Sequence, residues 1–149
     1  MIDRLLTFLD ASPVNFLAVK NIVDKLEDAG FKCIDPTLPI GNIKPGDKIY
    51  VTKNDSSVYA FHIGNKSLAE EGFNMICAHC DSPTFRIKPN AEITGDGNIV
   101  KLNTEVYGGP ILSTWFDRPL TIAGRVIVKS NDVMSPKTML LHIKRPLLQ

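Results

Sequence analysis

The sequence predicts an α/β fold, with two helices, then a mixed sheet, then a β-rich region. Three observations support this prediction. Apolar residues recur at helical spacing over residues 2–29, short runs rich in β-branched and aromatic residues follow, and no helical period returns after residue 90. The composition changes near residue 89, so we expect residues 1–88 and 89–149 to form parts of two domains.

Two helices are predicted at the start of the chain. Residues 2–10 place apolar side chains on one face at helical spacing. Ser12 and Pro13 suit a helix start. The serine oxygen can accept a hydrogen bond from an unpaired N–H group of the first turn, and proline at the first helical position lacks only an N–H group that would have no partner there. We expect this second helix to run to about Ala29, with Gly30 as a left-handed C-terminal cap.

Strands are predicted after Gly30. The runs "KIYVTK" and "SVYAFHIG", joined by the polar turn "NDS", indicate a hairpin. The run "FNMICA" is mostly apolar on both alternating faces, which favours a central strand covered on both sides. A further strand is predicted at "TFRIKP".

Composition and charge argue against several classes of protein. The 17 Lys and Arg residues nearly balance the 16 Asp and Glu residues, so we expect no nucleic-acid partner. No apolar run approaches the roughly 20 residues that span a bilayer, and the N-terminus is unlike a secretory signal. Three cysteines form no disulfide framework. We therefore expect a soluble cytoplasmic protein without a membrane partner.

The stretch "CAHCDSP", residues 77–83, carries the candidate chemistry. On a strand, His79 and Asp81 project to the same face, which is the spacing of a metal ligand and the carboxylate that orients its ring. His79 also comes at the carboxyl end of the predicted strand, where ligand crevices of α/β sheets lie.

Two other interpretations of this stretch stay open on the spacing alone. Cys77 and Cys80 have the C-x-x-C spacing of a redox pair or of half a zinc site, although on a strand they point to opposite faces and no helix follows them. Alternatively, Cys77 is a small core residue and His79 a hydrogen-bonded polar group.

Four blocks of the sequence carry a family resemblance. "AHCDSPTFRIKP" and "VYGGPILSTWFDRPLTIAGRV" resemble the two signatures of the aspartyl aminopeptidase and vacuolar aminopeptidase I family of two-zinc metallopeptidases. Residues 8–31 are similar to the opening helices of that family, and "LLHIKRPLLQ" resembles the segment after its second signature. The four blocks occur along this sequence in the same order as in the family.

The resemblance implies a function and a role for two residues. His79 corresponds to a ligand of one Zn²⁺ ion in a two-zinc site, and Asp81 to the catalytic carboxylate that orients it. The implied reaction removes an N-terminal amino acid, often an acidic one, from a peptide substrate. Residues 1–88 would belong to the α/β sandwich of the catalytic domain, and residues 89–149 to an inserted β-rich domain used for homo-oligomer assembly.

The same resemblance implies that the site is incomplete in this chain. The other metal ligands and the general base of the family come from sequence beyond Gln149, so the chain resembles a truncated form and is expected to be inactive alone. Two alternatives compete with this interpretation. One is an inactive folded oligomeric fragment, and the other is a small thiol or structural-zinc module that uses Cys77 and Cys80.

One polar and aromatic cluster lies outside the motif, at Trp115, Phe116, Asp117 and Arg118. Arg118 could anchor an acidic substrate side chain through a bidentate contact. The favoured interpretation is a surface pair of Asp117 and Arg118 beside a packed tryptophan.

Overall fold

The computed structural model describes residues 1–130 and 135–148. Within them the chain forms two compact units. The first comprises Met1–Asp81 and Ala123–His142, and the second comprises Ser82–Ile122 and the chain from Ile143 onward. The assignment of residues 1–88 and 89–149 to a catalytic and an assembly domain stays a prediction.

Two helices open the first unit: α1 spans Ile2–Ala11 and α2 spans Asn15–Asp28. Helix α2 ends in the predicted glycine cap, because Gly30 has a φ of 84° and the N–H groups after the helix bond back to its last carbonyls. The Gly30 N–H donates to the Glu27 carbonyl at 2.9 Å, and the next N–H donates to the Leu26 carbonyl at 2.9 Å.

The predicted start of α2 is wrong by two residues. Ser12 closes α1 as its C-cap, and the N-cap of α2 is Val14, which makes no side-chain capping bond. The Ser12 hydroxyl instead accepts from the Asn21 side-chain amide at 3.0 Å. The serine oxygen that the sequence assigned to capping is therefore used to hold the corner between the two helices.

A three-stranded sheet packs against α2 in the first unit. Strand β1 (Lys32–Cys33) runs parallel to β2 (Lys48–Lys53), which pairs antiparallel with β3 (Ser57–His62). The predicted hairpin is confirmed, and its turn uses Asn54 and Asp55 at φ values of 54° and 52°, a conformation that these two residue types tolerate. The buried core described here consists of Ala18, Val19 and Tyr50.

Two long strands form the sheet of the second unit. Strands β4 (Thr84–Thr94) and β5 (Val100–Tyr107) are antiparallel, with an irregularity between Ile87 and Glu92 that contains Pro89. Proline cannot donate to a ladder, so the pairing breaks there. The Asn103 side-chain amide, opposite the irregularity, donates to the Asn90 carbonyl at 3.0 Å and replaces one main-chain bond.

Short elements and one further sheet complete the described chain. Helix α3 covers Leu68–Glu71, and single 3₁₀ turns occur at Asp96–Asn98 and Leu112–Thr114. Strands β6 (Leu120–Val128) and β7 (Lys137–Leu148) pair with each other. Among residues 1–130 and 135–148, every helix is too short or too polar to cross a membrane.

The predicted central strand at "FNMICA" is wrong for this chain, since residues 72–83 contain no regular secondary structure. A strand needs a neighbour that satisfies its N–H and C=O groups, and none of the described residues provides one. Its large apolar side chains are correspondingly exposed, with Phe73 at 72%, Met75 at 78% and Ile76 at 98%. The run is apolar as predicted, but the described residues do not pair with it.

Arg125 on β6 connects three elements of the first unit. Its Nη1 atom donates to the main-chain carbonyl of Asn54 at 2.8 Å and lies 3.2 Å from the Asn54 side-chain oxygen. The guanidinium also covers the ring of Phe16 on α2, with Cζ 4.0 Å from the ring centroid. A single side chain thus joins β6 to the β2–β3 turn and to α2.

We expect Arg125→Ala to lower the free energy of unfolding by about 1–2 kcal/mol, because it removes a hydrogen bond and a cation–π contact together. Chemical denaturation of the two forms measures this difference. Arg145→Ala is the matched control, since Arg145 is an exposed arginine on β7. Equal stability of the Arg125 and Arg145 variants would contradict the proposed connection.

Candidate metal centre

His79 and Asp81 lie together in the irregular segment that follows α3. The Nδ1 atom of His79 is 2.8 Å from the main-chain carbonyl oxygen of Asp81 and 3.2 Å from the Asp81 carboxylate oxygen Oδ1. The His79 side chain is 83% exposed, and the Asp81 side chain 45% exposed. The ring is therefore held on one side and open to solvent elsewhere, rather than buried in an apolar interior.

These contacts determine which ring nitrogen carries the proton. A main-chain carbonyl oxygen can only accept a hydrogen bond, so Nδ1 must be the donor in the 2.8 Å contact. In the neutral imidazole the lone pair is then on Nε2. Nε2 is therefore the nitrogen that can bind a metal ion.

The shorter of the two contacts is made by the main chain, which the sequence did not reveal. The H-x-D spacing predicts the carboxylate as the partner of Nδ1, whereas the structure adds the Asp81 carbonyl at the shorter distance. The sequence does hold a signal for a fixed carbonyl here, because Pro83 restricts the backbone of Ser82, the residue that follows Asp81.

Zn²⁺ fits His79 as a single donor. Zinc binds one nitrogen of a neutral imidazole ring. The other ring nitrogen usually donates a hydrogen bond to a carboxylate or a main-chain carbonyl. Catalytic zinc takes three protein ligands, however. Across residues 1–130 and 135–148, no group of three His, Cys, Asp or Glu side chains is placed to hold a metal. His79 is therefore a single candidate donor beside Asp81, and its assignment as a zinc ligand stays a prediction.

Among the described residues, the cysteines are not gathered into a metal or disulfide site. Cys77 is exposed, Cys80 is half-buried, and both are free thiols, as is the exposed Cys33. The C-x-x-C segment lies outside any helix, so the helix N-terminus that lowers a redox thiol's pKa is not present at it. No third ligand gathers around the pair in the described chain, so the structural-zinc interpretation gains no support.

Arg118 has a structural role in the described chain. Its Nη1 atom donates to the Thr114 main-chain carbonyl at 3.2 Å, and no contact with Asp117 replaces that bond among the described ion pairs. Trp115 packs edge-to-face on Phe85, with ring centroids 5.0 Å apart. The tryptophan is packed as predicted, while the predicted Asp117–Arg118 pair is not formed.

A histidine whose Nδ1 is engaged by an aspartate, in an α/β chain, is one feature that metal-dependent hydrolases share. The family model described as aminopeptidase I zinc metalloprotease (M18) matches residues 8–149, and the chain belongs to this family. The predicted family and the predicted α/β fold class are confirmed.

Curated relatives and solved structures agree with that membership. A probable M18 family aminopeptidase 2 of Clostridium novyi is 49% identical over 146 residues, which are 98% of this chain and 34% of that protein. Its counterpart in Clostridium acetobutylicum is 50% identical over 145 residues, 97% of this chain and 33% of that protein. The chain spans about one third of the length of these curated relatives.

Three solved structures share the fold over nearly the whole chain. A chain of the Ape4 and Nbr1 complex matches with a TM-score of 0.89 and 40% identity, covering 95% of this chain and 27% of that one. Chaetomium thermophilum mApe1 matches with a TM-score of 0.89 and 32% identity, covering 97% of this chain and 33% of that one. A chain of the S. cerevisiae mApe1 dodecamer matches with a TM-score of 0.85 and 25% identity, covering 95% of this chain and 33% of that one.

Proposed function

We propose that this chain supplies one zinc ligand, His79, and its orienting carboxylate, Asp81, to a two-zinc aminopeptidase that removes N-terminal, acidic amino acids from peptides. The observation that carries the proposal is the 2.8 Å contact between His79 Nδ1 and the Asp81 carbonyl, which leaves the lone pair on Nε2. Membership of a zinc metalloprotease family supports the metal and the class of reaction.

The roles of the two residues follow from the hydrogen bonds. Asp81 accepts a hydrogen bond from the Nδ1–H group, which fixes the tautomer and the orientation of the ring. His79 presents Nε2 to the metal from a side chain that is open to solvent. Zinc held by His79 and the further ligands would supply Lewis-acid polarisation of a peptide carbonyl and would lower the pKa of a bound water.

The remaining ligands and the general base would come from the rest of a longer polypeptide. The coverage of one third of the curated relatives supports this, and so does the finding that the described residues bring no group of three His, Cys, Asp or Glu side chains together. We propose that residues 89–149 belong to an assembly domain and that the whole protein is a cytoplasmic homo-oligomer. The dodecamer formed by a structural relative supports the oligomer.

The experiment is a chimera in which residues 1–149 replace the aligned third of the Clostridium novyi relative. The 49% identity between the two segments makes a folded chimera feasible. We expect it to release acidic N-terminal residues from peptides in a zinc-dependent manner, and we expect the 149-residue chain alone to show no turnover with added zinc.

Two outcomes would overturn the proposal. Turnover by the isolated chain that disappears in His79→Ala would show that the site needs no further ligands. A folded, oligomeric chimera without zinc-dependent turnover would instead favour the inactive fragment, provided that the unmodified relative is active in the same assay.

A further inference from the structure

We propose that Cys77 and Cys80 form a reversible disulfide when the chain meets a peroxide, and that this disulfide keeps residues 72–83 from entering a sheet. The two thiols stand on either side of His79 in the sequence, and both are free in the structure. Cys77 is exposed and Cys80 is half-buried, so an oxidant in solvent reaches Cys77 more readily. Formation of the disulfide is independent of the proposed function, and only its effect on a zinc enzyme rests on that function.

The secondary structure of the segment decides whether the two sulfur atoms can meet. In an extended strand, residues three apart are separated by about 10 Å between their Cα atoms and point to opposite faces. A disulfide requires a Cα separation of about 4.4–6.8 Å, so a strand excludes it. Residues 72–83 contain no regular secondary structure and belong to none of the described sheets. No ladder among the described residues therefore holds Cys77 and Cys80 apart.

The reaction needs a peroxide and no other co-reactant. Hydrogen peroxide transfers one oxygen atom to the Cys77 sulfur, so the O–O bond breaks, Cys77 becomes a sulfenic acid and one water leaves. The Cys80 sulfur then attacks the Cys77 sulfur, so the S–S bond forms and the S–O bond breaks with release of a second water. Two thiols are thus oxidised while one peroxide is reduced to two waters, and a thiol reductant reverses the disulfide.

The closed disulfide and the strand exclude each other. The bridge limits the Cα separation to less than about 7 Å, whereas an extended run needs about 10 Å over the same residues. The run is apolar and exposed, with Ile76 at 98%, so its pairing surface is open in this chain. Oxidation therefore keeps the run, and His79 within it, out of the conformation that a sheet requires.

Cys33 provides an internal comparison. It is also an exposed free thiol, but it lies on β1, where the parallel ladder places it opposite Tyr50 on β2. No second cysteine lies near it in the sequence. Exposure alone therefore does not distinguish Cys77 from Cys33. The distinguishing features are a second thiol three residues away and a main chain outside the described ladders.

The test is oxidation of the dilute 149-residue chain with stoichiometric hydrogen peroxide at pH 7. We expect two of the three thiols to be lost, and peptide mapping to show a bond between Cys77 and Cys80. The mass should fall by about 2 Da, since the disulfide loses two hydrogen atoms. Dithiothreitol should restore all the thiols. Cys33→Ser should form the same disulfide, whereas Cys80→Ser should form no intramolecular one.

The chimera with the Clostridium novyi relative tests the exclusion. In the folded, zinc-loaded chimera the run has the neighbours that the isolated chain lacks under the proposed function. We expect the bond between Cys77 and Cys80 to form at least about tenfold more slowly there, because a ladder must open before the two sulfur atoms meet. Unfolding both proteins in urea should remove the difference.

The outcomes separate this proposal from the proposed function. An isolated chain that keeps its three thiols, or that is linked only through Cys33 or between molecules, would overturn the disulfide. Equal rates of disulfide formation in the isolated chain and in an active, folded chimera would overturn the exclusion. A chimera without zinc-dependent turnover would count against the proposed function alone, since the disulfide of the isolated chain requires no zinc.

Discussion

Replacing His79 with alanine in the chimera is expected to lower kcat/KM by at least about a thousandfold, because loss of a zinc ligand removes Lewis-acid stabilisation worth several kcal/mol. Zinc content, measured after dialysis, should fall with the activity. Asp81→Asn should have a smaller effect, about 10- to 100-fold, which is the usual cost of losing a partner of a metal-bound histidine. The Asp81 main-chain carbonyl, which makes the shorter contact with Nδ1, is retained in that variant.

His62→Ala is the control for this experiment. His62 is an exposed histidine at the end of β3, paired with Lys48 in the ladder, and we expect its removal to leave kcat/KM within about twofold of the unmodified chimera. Full activity and full zinc content in the His79 variant would remove the basis of the proposed function. An Asp81→Asn variant as inactive as His79→Ala would mean that the carboxylate, and not the carbonyl, orients the ring.

Replacing Tyr50 with phenylalanine is expected to lower the free energy of unfolding by about 2 kcal/mol, the range for a hydrogen bond to a charged group. Tyr50 is 3% exposed, and its hydroxyl donates to Glu27 Oε1 at 2.6 Å, joining β2 to α2. Phenylalanine retains the ring packing but leaves the part-buried carboxylate without this donor. Urea denaturation at pH 7 measures the difference.

The same hydrogen bond sets the pH dependence of stability. The hydrogen bond to Glu27, and secondarily burial, raise the pKa of Tyr50 above its ordinary value of 10.0. Below pH 10 the phenol is neutral in both the folded and unfolded states, so the stabilisation that comes from the hydrogen bond to Glu27 is fully present there. Above pH 10 the unfolded chain ionises first, so the contribution is lost as the pH rises toward the folded-state pKa. The stability advantage of the wild type over Tyr50→Phe should therefore be constant up to about pH 10 and narrow above it.

Tyr59→Phe is the control for both measurements, because Tyr59 is 60% exposed on β3. We expect its effect on stability at pH 7 to stay within about 0.5 kcal/mol. A Tyr50→Phe chain as stable as the wild type would show that the hydrogen bond to Glu27 contributes nothing net to folding. An advantage of the wild type that widened above pH 10 would contradict the sign of the pKa shift.

Local features of the fold could be predicted from the sequence, because the interactions that form them are close along the chain. Helix α2 and its Gly30 cap depend on neighbouring main-chain groups, and the β2–β3 hairpin depends on a short polar turn. The start of α2 was mispredicted because Ser12 has a partner nine residues away, Asn21, that outcompetes capping. Spacing along the chain does not reveal such a partner.

The candidate site was predictable to the level of residue types only. The H-x-D spacing indicates His79 and Asp81, but the protonated nitrogen and the role of the main-chain carbonyl follow from distances. Elsewhere, in the second unit, the close contact of Gly108 with Pro83 could not be predicted, because it depends on the register that places Tyr107 opposite Thr84.

The exposed Phe73, Met75 and Ile76 have a consequence for how this polypeptide must be handled. This low-charge apolar run has no ladder neighbour in the part of the chain that the structure describes, and such runs resemble the sequences that seed cross-β aggregates. Between its synthesis and its pairing, such a run is vulnerable to capture by identical runs on other molecules. Rapid association or a chaperone that shields apolar surface would therefore favour a usable yield of this protein.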